Sequence, residues 1–243
     1  MKRREMLFYT ILATFFVATT SIAQQQKSAQ NAIFLGTVVQ QKGMVFNKSI
    51  EASAVVNWIE KQPLSVTVTD FTQKSYALYK KAIRDQGKTV FFEYHDSIAE
   101  KPTYLTLKLA DKVGIIEQLE QSQNKKLLHY IENSEDNELV NEVNILVQQP
   151  MYDQIVYAQK VYLHTTKNGL LALQLQNGKT TQSITSNQFQ VFGFETACLC
   201  WKLGEREDVI VVDLAAKSSS CPKGTKSHPR KLKRKKEERY DRF

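Results

Sequence analysis

The chain has 243 residues and 33 Lys/Arg against 25 Asp/Glu, a formal net charge of +8. Its 9 Gly and 5 Pro are too few for a low-complexity polymer, and a body of about 200 residues can bury a real core. The charge is uneven: residues 223–243 hold ten Lys/Arg and three acids, or +7, which leaves −1 on residues 24–222 and excludes a nucleic-acid domain that is basic throughout.

In chain order, Lys2, Arg3 and Arg4 precede an uncharged, mostly apolar run, Met6–Thr20. Ser21-Ile22-Ala23 then supplies small residues where a signal peptidase reads them. This layout predicts a secretory signal peptide over 1–23, cut between Ala23 and Gln24. The run of 15 residues is shorter than the roughly 20 a helix needs to cross a bilayer. No Cys follows the cut, which argues against a bacterial lipoprotein. Residues 24–31 form a polar linker.

Alternation from Ile33 to Val39, with Lys42-Gly43 as a turn into Met44-Val45-Phe46, predicts a hairpin. Asn47–Lys61 is ambiguous in pattern: Ile50, Ala54, Val55, Trp58 and Ile59 have the spacing of a helix, which Pro63 would end. Leu64–Asp70 alternates as a strand. Gln73–Gln86 predicts an amphipathic helix ended by Gly87. Thr89–His95 (TVFFEYH) reads as an aromatic strand and Thr103–Ala110 as another. Lys112–Asn133 is helical, interrupted by Gln121-Ser122-Gln123-Asn124, which suits two short helices.

Beyond Leu139 the chain reads as six strands: Leu139–Gln148, Gln154–Thr165, Gly169–Gln176, Gln188–Phe194, Thr196–Leu203 and Val209–Ala215. Asn168-Gly169 and Asn177-Gly178 are hairpin dipeptides, because a tight turn needs positive φ at its centre. The expected fold class is therefore α+β, mainly β, with antiparallel sheet and helices concentrated in the first half. The globular body is placed at 32–222, with room for two subdomains divided near 133–138, and a disordered basic tail at 223–243. An outer-membrane barrel is disfavoured, because the charged run before Phe243 cannot alternate against lipid.

The cysteines are Cys198, Cys200 and Cys221. An oxidising compartment favours pairing. Cys198 and Cys200 share a strand face, and a bond between them would strain the strand. A bond from Cys221 to Cys198 or Cys200 would tie the base of the tail to the sheet. Three free thiols, or a metal site completed by His228, are the alternatives, although the spacing matches no familiar zinc motif. No metal set or cofactor is assigned. The densest titratable group is Glu93, His95 and Asp96, where a carboxylate beside an imidazole could serve acid–base chemistry. A surface pair at a strand end is the plainer reading, and no catalytic residue is assigned.

A dense basic run stays solvated unless a partner neutralises it. Arg230, Lys231, Lys233, Arg234, Lys235 and Lys236 form the run. Arg239, Tyr240, Arg242 and Phe243 end it with aromatic side chains that could dock. Behind a signal peptide the natural targets are an anionic membrane surface or an acidic envelope protein, and nucleic acid is disfavoured. The SIA-QQQ junction and the Gln/Asn/Lys-rich, strand-heavy body resemble small secreted cell-envelope proteins of Bacteroidota. Such proteins often accompany outer-membrane machines, including the type IX secretion apparatus. The resemblance implies a periplasmic component associated with the outer membrane, and it implies no residue-level site. The expected function is a non-catalytic accessory or binding protein of an envelope complex with no transmembrane helix in the mature chain. The alternatives are a periplasmic enzyme of unknown class, or a nucleic-acid-binding protein if the signal is not processed.

Overall fold

Leu105, Leu107 and Leu109 alternate with Thr106 and Lys108, and their burial fixes which way the middle of the sheet faces. Each contributes about 1.5–3 kcal/mol when taken fully from water. The computed structural model describes residues 33–232 except 43–48, 96, 98–99, 135, 206–207 and 218. The expected signal peptide, the linker, Met44-Val45-Phe46, Asp96 and residues 233–243 lie outside the described residues. The mainly-β α+β class is what the structure has.

The strands are β1 Thr37–Lys42, β2 Ser49–Val55, β3 Gln62–Asp70, β4 Thr103–Leu109, β5 Asn137–Leu146, β6 Lys160–Thr165, β7 Leu171–Asn177, β8 Thr180–Thr185, β9 Gln190–Leu203 and β10 Val209–Ala216. They form one antiparallel sheet in the order β10-β9-β5-β4-β3-β6-β7-β8. One edge of β5 is shared: its first residues pair with β1 and its later ones with β4, and β2 hangs on β1. The helices are α1 Gln73–Asp85, α2 Lys112–Glu120, α3 Lys125–Asn133 and α4 Met151–Val156. From Ile33 onward the chain is one unit, with no division near 133–138.

Two cores result. The larger runs from Phe34 and Trp58 through Leu105, Leu107, Val143 and Ile145 to Trp201, with Ile115 and Leu119 of α2 and Ile131 of α3. The smaller is aromatic: Phe71, Tyr76, Tyr79, Tyr94 and Phe192 with Ile83 and Leu146. The break between α2 and α3 has a use. Asn124 caps nothing with its side chain but exchanges hydrogen bonds with the backbone of Asn57, while Gln118 Oε1 accepts from Ile59 N–H. Both amides are buried and satisfied, so they latch residues 57–60 to the helices. Gly36 must be glycine: its φ is +80°, and a Cβ would sit 2.6 Å from the indole of Trp58.

Several sequence expectations are corrected. Ser49–Val55 is a strand, not part of a helix. Pairing with β1 outweighs the Ile50–Ala54 spacing, and Trp58 beyond the strand is buried in the main core with its N–H donating to Thr165 Oγ1 of β6. Thr89–His95 is irregular rather than a strand, because side chains take its backbone bonds: Phe91 N–H donates to Tyr79 Oη, Phe92 C=O accepts Tyr76 O–H, and Thr89 C=O accepts Gln190 Nε2. The first part of Gln154–Thr165 is α4, whose Met151 and Ile155 reach the core at helical spacing, and Tyr157 beyond it is 78% exposed. Gln188–Phe194 and Thr196–Leu203 are one strand, β9, whose register on β5 slips twice without a turn. One slip falls at Phe192 and goes with its ring entering the aromatic core. β8 was not expected at all. It completes the Asn177-Gly178 hairpin, and Gly178 has φ +58°.

Candidate functional site

The expected tail begins as part of the body. Cys200 and Cys221 form a disulfide across 21 positions, and Cys198 is a free thiol. Cys200 lies beyond the part of β9 that β5 covers, and that bare edge is taken up by Lys226. Lys226 and Trp201 exchange both backbone hydrogen bonds, at 2.8 and 2.9 Å. Residues 229–232 make a helical turn that buries Pro229 and Leu232, the latter in the main core. The Arg230 guanidinium donates to Asn133 C=O at 2.9 Å, at the C-terminal end of α3 where a cation is favoured. Residues 223–232, expected in a disordered tail, are therefore packed on the body, and Arg230 is engaged within the chain. Lys231 is exposed. Lys233, Arg234, Lys235, Lys236, Arg239, Tyr240, Arg242 and Phe243 lie outside the described residues.

Glu93 and His95 are exposed and share no strand face. Glu93 accepts the Tyr76 O–H at 3.0 Å. His95 lines a groove of about 480 Å³ beside α1, together with Gln73, Tyr76, Ala77, Lys80, Lys81, Arg84 and Tyr94. The groove brings three cations together, and among the described residues its lining has no carboxylate. Lys80 Nζ lies over the Tyr76 ring at 5.5 Å, within the reach of about 6 Å that such a contact has. Burial pushes the Tyr76 hydroxyl above its ordinary value, and Glu93 adds to the shift. Burial does the same for Tyr79.

A second cleft, of about 410 Å³, crosses β2, β1, β5 and β9. Val39, Ile50 and Phe194 give it apolar walls. Glu138 Oε2 accepts both the Thr196 hydroxyl and Lys217 Nζ, the latter at 2.9 Å. Cys198 feels Glu138 and Lys217. Burial, then Glu138, raises its thiol pKa, which is the opposite of what a nucleophile needs. Sequence reasoning singled out Cys198 but not Glu138, Thr196 or Lys217. The basic face of α1 was legible in QKSYALYKKAIRD, but the cleft is made by positions far apart in the chain. Among the described residues, no group of three or more His, Cys, Asp or Glu could hold a metal ion, and no helix is long and apolar enough to cross a membrane.

These features describe an antiparallel β protein with a fastened basic C-terminal segment, a cationic groove and a mixed cleft. No protein-family model, curated protein or solved structure matches the chain.

Proposed function

We propose that this chain is an exported, non-catalytic accessory or binding protein of a cell-envelope complex for protein secretion or outer-membrane assembly. Its basic C-terminal segment contacts an anionic membrane surface or an acidic partner protein in the periplasm. The observation that carries this reading is the fastening of the segment's base. The Cys200–Cys221 bond, the Trp201–Lys226 pairing and the seat of Leu232 deliver the following residues from one fixed point on the sheet. A tail that served only for solubility would not need such a mount. The Met1–Ala23 layout and the use of a disulfide both fit an oxidising compartment.

Six Lys/Arg follow Leu232. Basic residues held at an anionic surface gain about 1 kcal/mol each, within a screening length of about 8 Å at physiological salt. The test compares the full chain with one truncated after Leu232, expressed in the native envelope and fractionated at physiological salt. The full chain should travel with membranes or with an envelope complex, and the truncated chain should be released. Equal fractionation of the two refutes the proposal.

A further inference from the structure

We propose that the groove beside α1 is a binding site for a phosphate-bearing small ligand of about the size of a sugar phosphate. The proposal is independent of the role of the tail.

The groove is built from two unlike walls. One is α1, where Lys80, Lys81 and Arg84 fall within a single turn and Gln73 lies two turns earlier on the same side. The other is the irregular segment carrying Tyr94 and His95. A basic residue in the last turn of a helix also serves the helix's own carbonyls, which accounts for Arg84. It does not account for Lys80 and Lys81, which stand earlier. Lys80 is half-buried and lies over the Tyr76 ring, so its ammonium is held at the groove instead of extending into water.

The second wall is the stronger observation. TVFFEYH has high strand propensity and alternation, yet the fold holds it out of the sheet. Two tyrosine hydroxyls and one glutamine amide pin it along α1. A segment that contradicts its local preference, and is held there by part-buried side-chain bonds, is where function commonly overrides folding preference. The result is a rigid aromatic floor under a ring of donors. Glu93 stays out of the lining and accepts the Tyr76 O–H.

The donor count selects the ligand. Each lysine ammonium offers three N–H donors, Arg84 offers five, and Gln73 adds an amide. A phosphate has more oxygens and more charge than a carboxylate to meet them. The volume of about 480 Å³ falls in the range of small-molecule sites and leaves room beside the phosphate for an organic group over Tyr76 and Tyr94.

The experiment is titration calorimetry of the full chain with glucose 6-phosphate and with inorganic phosphate. It is repeated on Lys81→Gln/Arg84→Gln and on a chain truncated after Leu232. Lys81 and Arg84 are exposed, so the variant should keep the wild-type circular dichroism and melt at most about 4 °C lower, through the loss at the helix end that Arg84 serves. Saturable binding near one ligand per chain, kept on truncation and weakened at least tenfold by the double substitution, supports the site. Tighter binding of the sugar phosphate assigns the organic group to the groove, and equal binding confines recognition to the phosphate. If neither probe binds at millimolar concentration, or truncation abolishes binding while the double substitution does not, the proposal is overturned.

Discussion

Breaking the Cys200–Cys221 bond measures how much of the chain's stability rests on fastening its C-terminal segment. The clean perturbation is Cys221→Ser in a Cys198→Ser background, so that no second thiol remains to exchange with Cys200. Cys221 is only half-buried, so serine there opens no buried cavity. The bond closes a loop of 21 positions that contains the end of β9, the turn after it and all of β10. Closing such a loop in the unfolded chain removes entropy worth about 3 kcal/mol at 25 °C. For a unit of this size, each kcal/mol moves the melting midpoint by about 2–4 °C, so the variant should melt roughly 6–12 °C below the Cys198→Ser parent. Circular dichroism scans with and without dithiothreitol make the comparison. Reductant should bring the parent down to the variant and leave the variant unmoved. Hydrogen exchange adds a local readout. The Trp201 and Lys226 amides bond only each other's carbonyls across the bare edge of β9, so they should lose protection before the residues that β5 covers. A midpoint change under about 2 °C, less than about 1 kcal/mol for this size, would refute the reasoning. It would mean that Lys226, Arg230 and Leu232 hold the segment without help.

Two further outcomes follow from the packing. Truncation after Leu232 should leave the melting midpoint unchanged, whereas truncation after Pro222 removes Lys226, Arg230 and the buried Leu232 and should cost about 2–5 kcal/mol, the range for emptying a core leucine site; equal midpoints in denaturation scans would show that the seat of Leu232 contributes nothing. Tyr79→Phe should cost about 1–3 kcal/mol, because Phe91 N–H and Gln190 Oε1 both lose the hydroxyl they bond in the smaller core. The same residue sets an alkaline limit. The folded state keeps Tyr79 neutral above its ordinary pKa of 10.0, while the unfolded chain ionises there. Its contribution is therefore complete below about pH 10 and lost as pH rises through the folded value, and Tyr79→Phe should flatten that decline in urea titrations.

Strand β4 was legible because its leucines alternate and are buried on pairing, and β5, β7 and β10 because they are short runs rich in Val, Ile and Leu. The double break between α2 and α3 was legible in Gln121-Ser122-Gln123-Asn124, though not its purpose, since a buried asparagine that latches a distant loop has no local signature. β8 was hidden because TTQSIT offers a single apolar residue, Ile184, and that residue alone is buried in the strand. Thr89–His95 misled in the other direction: its propensity is strong, but Tyr76 and Tyr79 capture its backbone from a helix that sequence reasoning treats separately. The basic segment was visible from charge alone. Its mount was not, because Leu232 is one aliphatic residue within a run of cations, and only the fold shows the core that receives it. Glu138 and its partners Thr196 and Lys217 lie 58 and 79 positions apart, beyond any spacing rule.

The shared edge of β5 has a consequence for how the chain folds. β5 must recruit β1 from roughly 100 positions upstream, β4 from nearer, and β9 from downstream, and such distant pairings slow folding by demanding loop closure before contacts repay it. Until β9 is available, β5 has one edge without its native partner, and β10 has no strand to join. The sheet therefore cannot be completed from its first half alone. A chain interrupted before Leu203 should leave that edge of β5 without its native partner, vulnerable to proteases and to pairing with other copies, until the last two strands arrive.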